Sequence, residues 1–301
     1  MVRSASDIPR AGMLARLLPP GWLPYARLMR ADRPIGTWLL LFPCWWGIAL
    51  ATPGWPSPWL IALFALGAFV MRGAGCTYND IVDRDFDGRV ARTADRPIPS
   101  GAVSLRQAIA FLVAQLLVGF AILMLFDMTT IALGVASLLL VFTYPLMKRV
   151  TWWPQFFLGL AFNWGALMGW TAVAGSLGTA PLLLYAGGIA WTLGYDTIYA
   201  HQDREDDALI GVKSSARRLG TNTRPALAAF YAAAIVLFAA AGALCGLGWP
   251  FWIALAAAAL HLAWQVRGID IDQPADCLAR FRSNRVVGWL VLAGIVAGHL
   301  T

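Results

Sequence analysis

Charge is scarce in this chain. Only 13% of its 301 residues are Asp, Glu, Lys or Arg, against roughly a quarter in soluble domains. That scarcity excludes a solvated disordered chain and an ordinary water-soluble fold. Cysteine is rare as well. Cys44, Cys76, Cys245 and Cys277 form no Cys-x-x-Cys pair, so neither a disulfide framework nor a zinc site is indicated. The three histidines, His201, His261 and His299, are dispersed. No basic run with interleaved aromatics occurs in a soluble module, so the net charge of +7 does not point to nucleic acid. Residues 1–20 lack the apolar core of a cleavable signal, and Asp7 speaks against a transit peptide. The first membrane helix is expected to direct insertion.

Apolar residues fill the space that charge leaves, at 59% of the chain. A bilayer core ~30 Å thick takes about 20 apolar residues per helix. Nine runs approach that length: 36–53, 58–78, 106–126, 129–146, 154–174, 179–198, 225–247, 249–267 and 285–300. Helices are the expected spanning element. The expected fold is an all-α polytopic membrane protein with nine transmembrane helices, a single domain over 1–301 that opens with an N-terminal segment, 1–30.

Basic residues then set the orientation. The connections at 54–57, 127–128, 175–178 and 248 hold no Lys or Arg. All 23 basic residues lie in the N-terminal segment, in the alternate connections, or at Arg72 near the same end of the second run. Positive loops stay cytoplasmic. The N-terminus and those four connections are therefore expected in the cytoplasm.

The acids carry the chemical signal. All but Asp127 lie on the basic side. Acids at a membrane edge are costly and point to function. "NDIVDRDFD" at 79–87 follows an apolar run, and Asn79, Asp80, Asp83 and Asp87 share one helix face. Like charges so stacked repel, so a positive partner is expected. "YDTIYAHQDREDD" at 195–207 ends another run, and Asp196, Tyr199, Asp203 and Asp207 fall on one face there. Asp83-Arg84-Asp85-Phe86-Asp87 and Asp203-Arg204-Glu205-Asp206-Asp207 repeat acid-Arg-acid-x-acid at an offset of 120. An internal duplication would account for this, although the halves otherwise share little identity.

Two carboxylate sets suit a hard divalent cation. Mg²⁺ takes oxygen ligands and is usually held by one or two carboxylates plus substrate phosphates. A phosphorylated ligand is therefore expected, and its free oxygens need cations. Lys148 and Arg149 follow Tyr144 in "TYPLMKRVT", and Lys148 is read as a substrate contact. Lys213 in "GVKSSARRLG" follows the second cluster, where topology explains Lys213, Arg217 and Arg218 as well as substrate contact does. A cation transporter is the rival of a different class. It predicts acids near the midplane rather than at helix ends beside basic residues.

The first cluster is similar to the Asn-Asp-x-x-Asp-x-x-x-Asp motif of UbiA-type intramembrane prenyltransferases. The second resembles their Asp-x-x-Tyr-Ala-x-x-Asp-x-x-Asp-Asp motif. Further stretches resemble the 4-hydroxybenzoate polyprenyltransferase branch: "RADRPIGTWLLLFPCWW" at 30–46, "MRGAGCTYND" at 71–80, "RTADRPIPSG" at 92–101, "YPLMKR" at 144–149 and "IGVKSSA" at 210–216. The resemblance spans nearly the whole chain. It implies nine helices around a cavity open to the cytoplasmic side and to lipid, in a bacterial inner membrane. It implies Mg²⁺ held by Asn79, Asp83, Asp87, Asp203 and Asp207, with Asp80 and Asp196 beside them and Asp206 a further acid of the second motif. The implied reaction, in ubiquinone biosynthesis, transfers a polyprenyl group from its diphosphate to a ring carbon of 4-hydroxybenzoate. Asp83, Asp87, Asp203 and Asp207 are the catalytic set, and Arg72, Tyr144, Lys148, Tyr199 and Lys213 the substrate-binding set. Homogentisate, dihydroxynaphthoate and haem users share both motifs, so the acceptor rests on the branch resemblance. Arg72 lies on the Asn79/Asp83 face, deeper in the run. Two roles fit it: neutralising the acids, or gripping the acceptor's carboxylate through a bidentate pair.

Overall fold

A computed structural model describes residues 16–88, 93–209 and 211–301, and of Phe86 and Asp206 the backbone alone. The expectation about a signal or transit peptide in 1–20 thus falls mostly outside the described residues, as do Arg89 and Arg92. Every regular element among the described residues is helical. In lipid, a helix satisfies its backbone polar groups within itself. Among the described residues, six helices are long and apolar enough to cross a membrane: Pro58–Asp85, Leu105–Leu123, Met128–Val150, Pro154–Ala174, Ser215–Leu244 and Trp249–Gly268. Ile35–Ala51 is apolar but shorter, at 17 residues.

The expected runs at 179–198 and 285–300 lie in helices Thr179–Ala200 and Pro274–Gly298. Polar residues dilute both: Thr192, Tyr195 and Asp196 in one, Arg280, Arg282, Asn284 and Arg285 in the other. Four of these, Thr192, Tyr195, Arg280 and Asn284, are buried in the protein. An apolar solvent turns polar groups inward, where they find partners. Large apolar side chains face outward instead, among them Leu117, Phe120 and Leu139.

The chain divides into two compact units, Met1–Thr37 with Leu66–Leu123, and Trp38–Ala65 with Met124–Thr301. In the first unit, Leu28, Val103 and Ala108 form a buried core against which Tyr25, Ile81, Ile98 and Phe111 pack. The Thr77 hydroxyl donates to the Gly73 carbonyl and to Gln115 Oε1 at 2.9 and 3.0 Å, joining helices Pro58–Asp87 and Leu105–Leu123. In the second unit, Trp46 is fully buried and donates to the Gly288 carbonyl at 3.0 Å. Its ring lies 5.2 Å from Trp191 and 5.3 Å from Phe238. Trp191 donates to Asn284 Oδ1 at 2.8 Å. Helix Ile35–Ala51 meets Gly165–Ala174 at small residues. A Cβ at Gly47 would lie 2.2 Å from the Ala166 carbonyl oxygen, and one at Gly169 would lie 2.2 Å from that of Cys44. Membrane helices pack closely through such positions.

Asp127, the one acid away from the basic side, caps helix Met128–Val150. Its carboxylate accepts from the Thr129 and Thr130 amides at 2.9 and 3.1 Å and from the Thr130 hydroxyl at 2.6 Å. Slight burial pushes the carboxyl up, but these bonds outweigh it and hold it below the usual range. A depressed folded-state value stabilises above the ordinary carboxylate range and is lost as pH falls through the folded value. Asp127→Ala is expected to cost about 1 kcal/mol at neutral pH. Thermal melts in detergent check this, and the deficit should shrink as the pH is lowered below 4.

Candidate active site

The first acidic cluster belongs to the first unit. Helix Pro58–Asp87 runs as one 30-residue rod, so its apolar part continues without a break into the acids. Asp80, Asp83 and Asp87, at i, i+3 and i+7, are 0%, 1% and 8% exposed, whereas Arg84 and Asp85 are exposed. Asn79 is half-buried. Buried carboxylates persist only when paired, and two arginines pair Asp80 and Asp87. Arg30 Nη2 donates to Asp80 Oδ1 at 2.7 Å. Arg96 Nη1 donates to the same oxygen at 3.3 Å and to Asp87 Oδ2 at 2.7 Å. Burial pushes the Asp87 carboxyl up; Arg96 pulls it down, while Asp80 and Asp83 push it further up.

Local backbone serves these contacts. Arg30 has φ of 61°, the left-handed region that non-glycine residues seldom occupy. Its Nη1 also donates to the Arg27 carbonyl at 3.0 Å, which fixes the guanidinium toward Asp80. The Thr93 hydroxyl donates to the Asp87 carbonyl at 2.8 Å, tying the Arg96 segment to the helix end. Arg72 lies deeper on the same helix and donates to Cys76 Sγ at 2.7 Å. Its guanidinium rests on Gly36, where a Cβ would lie 2.5 Å from Nε.

The second cluster belongs to the second unit. The sequence reading places Asp196, Tyr199, Asp203 and Asp207 on one helix face. The structure breaks that helix: Thr179–Ala200 ends, His201–Asp203 forms a 3₁₀ turn, and Arg204–Leu209 resumes. At 3.0 residues per turn each 3₁₀ residue advances about 120° instead of about 100°, so the later acids rotate away from the earlier face. Asp196, Asp203 and Asp207 are half-buried and Glu205 is exposed. Tyr199 lies 4.5 Å from the Phe281 ring. Arg204 pairs with Asp272 at 2.9 Å. Burial, with Arg204 helping and Asp272 opposing, pushes the His201 imidazole down to about 4. It is neutral and bonds Thr223 Oγ1 at 3.0 Å.

Tyr144 and Lys148 are half-buried in the last turns of Met128–Val150. Lys213 closes that helix: its amide donates to the Lys148 carbonyl at 2.9 Å and its Nζ to the Val150 carbonyl at 3.1 Å. Its ammonium therefore meets the negative end of a helix dipole. Ser215 anchors the same loop, bonding Thr197 Oγ1 at 2.6 Å and, through its amide, Gln155 Oε1 at 3.1 Å.

Among the described residues, no three His, Cys, Asp or Glu side chains gather closely enough to hold a metal ion. The first-motif acids are spread along about 10 Å of helix and strapped by arginine. Their chemistry nevertheless suits a hard cation: all donors are oxygens, and among the described residues the buried Asp80 Oδ2 has no hydrogen-bond partner.

Arg30 and Arg96 were missed by the sequence reading. They stand 50 and 16 residues from Asp80, too far for helical spacing to connect. Ala-Asp-Arg-Pro-Ile occurs twice, at 31–35 and at 94–98, but that repeat aligns Arg96 with Arg33 and leaves Arg30 outside it.

Comparison with known proteins accords with this geometry. A sequence model described as the UbiA prenyltransferase family matches residues 40–294. The 4-hydroxybenzoate polyprenyltransferase, mitochondrial, of Aedes aegypti is 53% identical over 92% of the chain, and the chain spans 64% of that relative's length. The apo structure of a UbiA homolog from Aeropyrum pernix K1 superposes with a TM-score of 0.74 at 29% identity, covering 86% of this chain and 96% of that one. A UbiA homolog from Archaeoglobus fulgidus, bound to GPP and Mg²⁺, shares the fold with a TM-score of 0.66 at 18% identity, covering 92% of this chain and 100% of that one. One expectation falls here. The chain was placed in a bacterial inner membrane, and the Aedes aegypti relative is mitochondrial. The positive-inside asymmetry orients a chain across a membrane but does not identify the membrane. The chain belongs to the UbiA prenyltransferase family.

Proposed function

We propose that this chain transfers a polyprenyl group from polyprenyl diphosphate to a ring carbon of 4-hydroxybenzoate, in ubiquinone biosynthesis. The observation that carries the reading is the row of buried carboxylates on helix Pro58–Asp87, in a family whose relatives are named for this reaction. The nine apolar runs serve as nine spans, with the site opening on the side of the basic loops and laterally to lipid, where the polyprenyl tail lies.

Asn79, Asp83 and Asp87 of the first motif and Asp203 and Asp207 of the second are the proposed ligands of Mg²⁺, with Asp196 beside them. When bound, Mg²⁺ neutralises the diphosphate and stabilises the charge that develops on it as it leaves. Lys148, in the last turn of its helix, is the cation offered to a free phosphate oxygen. Lys213 supports that turn through Val150. Loss of diphosphate leaves an allylic cation, which apolar walls shield from water and aromatic faces stabilise by roughly 0.5–2 kcal/mol each. Tyr144 and Tyr199 are the proposed aromatic contacts. The acceptor attacks through the carbon ortho to its hydroxyl, and a carboxylate of the second motif takes the ring proton.

Arg72 is proposed to hold the acceptor's carboxylate. The planar guanidinium suits a bidentate carboxylate, and Gly36 leaves the room it occupies.

Asp83→Asn and Asp207→Asn are each expected to lower turnover by about 100-fold or more while the protein still folds, because each removes a ligand charge rather than core packing. Prenyl transfer at limiting Mg²⁺, with a thermal melt as control, checks this. Near-normal turnover in either variant would remove that carboxylate from the cation site.

Arg72→Lys is expected to raise the Michaelis constant for 4-hydroxybenzoate about tenfold and leave that for the prenyl diphosphate nearly unchanged, since lysine lacks the bidentate fork. Gly36→Ala should act in the same direction by displacing the guanidinium. An unchanged acceptor constant in Arg72→Lys disposes of the carboxylate grip.

A further inference from the structure

Arg96 occupies an unusual position. One nitrogen, Nη1, bonds carboxylates two helical turns apart, Asp80 at 3.3 Å and Asp87 at 2.7 Å. Asp83 lies between them on the same buried face. The charge of Arg96 therefore sits where a cation bound to this face would sit. The two ends of the bridge are not equivalent. Asp80 is fully buried and takes a second, shorter bond from Arg30 at 2.7 Å. Among the described residues, Arg96 is the ion-pair partner of Asp87.

The backbone beneath Arg96 is fixed independently of its side chain. Its amide donates to the Thr93 carbonyl at 3.0 Å, Ser100 donates back to the Arg96 carbonyl at 3.0 Å, and Val103 donates to Pro97 at 2.8 Å. The guanidinium can move without the turn moving.

We propose that Arg96 is the built-in counter-cation of the first acidic motif and is exchanged when a divalent cation binds. Asp87 passes from Arg96 to the metal, because a divalent cation on that carboxylate repels the adjacent guanidinium. Asp80 keeps Arg30, and so acts as an anchor for arginine. Nη1, released from Asp87, then turns to a diphosphate oxygen. Guanidinium has five N–H donors and favours phosphate. No bond other than hydrogen bonds and ion pairs changes. The site thus stays paired when empty, and loading the metal creates a diphosphate contact. In that state Arg96 is a substrate contact, and the inference rests on reading the first motif as a cation site.

The test measures Mn²⁺ binding to the purified full chain in detergent micelles, by the electron paramagnetic resonance signal of free Mn²⁺, without prenyl diphosphate. Arg96→Gln is expected to bind Mn²⁺ about tenfold more tightly than the natural chain, because the competing charge is gone. Adding inorganic pyrophosphate should tighten Mn²⁺ binding in the natural chain and much less in Arg96→Gln. Arg96→Lys, which retains a charge, should stay near the natural affinity. Unchanged or weaker Mn²⁺ binding in Arg96→Gln overturns the exchange. If Arg96→Gln does not fold, arginine-selective phenylglyoxal labelling of the natural chain decides, with mass spectrometry reporting Arg96. Mg²⁺ alone should speed its modification and added pyrophosphate should slow it again; equal rates in all three conditions overturn the proposal. Failure of the natural chain to bind Mn²⁺ at all removes the cation-site reading as well, whereas binding that Arg96 does not influence removes this inference alone.

Discussion

Three carboxylates buried on one face of one helix constrain the first unit. Asp80, Asp83 and Asp87 cannot move apart, because the helix fixes them within two turns. Removing them from water costs several kcal/mol each unless cations compensate. Segments distant in sequence therefore converge on that face. Arg30 takes up a left-handed backbone conformation beside it, and the 93–103 turn delivers Arg96. The charge demand of the motif thus organises the loops around it. The same demand suits the motif to a metal and a diphosphate, which supply and require charge in the same place.

The second unit handles polarity differently. Several of its buried polar groups join in a connected set. Tyr231 donates to Gln265 Oε1 at 2.8 Å, Gln265 donates to Ser283 at 3.0 Å, and Trp191 donates to Asn284 at 2.8 Å. Arg280 donates to the Gly268, Trp264 and Gln265 carbonyls at 2.6, 3.1 and 3.4 Å and pairs with Asp276 at 2.8 Å. It thereby closes the end of helix Trp249–Gly268. These bonds join helices whose outer surfaces are apolar. Without a hydrophobic drive between helices in lipid, packing and such hydrogen bonds hold them together.

Much of this was legible in the sequence, because apolar length and helical spacing are local signals. The apolar runs coincide with helices, and the i, i+3, i+7 spacing of Asp80, Asp83 and Asp87 shows as shared burial. A positive partner was expected from repulsion alone, but its identity depends on tertiary folding, so Arg30 and Arg96 went unnamed. The second motif was read as one helical face, and the 3₁₀ turn at His201–Asp203 breaks it. Lys213 closes the helix that carries Lys148, a tertiary contact that spacing along the chain does not show. The compartment could not be read from charge, which records a side and not an organelle.

The reaction itself is tested most directly by an acceptor panel. The purified chain, in lipid vesicles with Mg²⁺ and a polyprenyl diphosphate, is given 4-hydroxybenzoate, homogentisate and dihydroxynaphthoate in parallel. The account predicts that 4-hydroxybenzoate is prenylated ortho to its hydroxyl with its carboxylate retained, and far faster than the others. Product from homogentisate or dihydroxynaphthoate alone, or from none of the three, would contradict it.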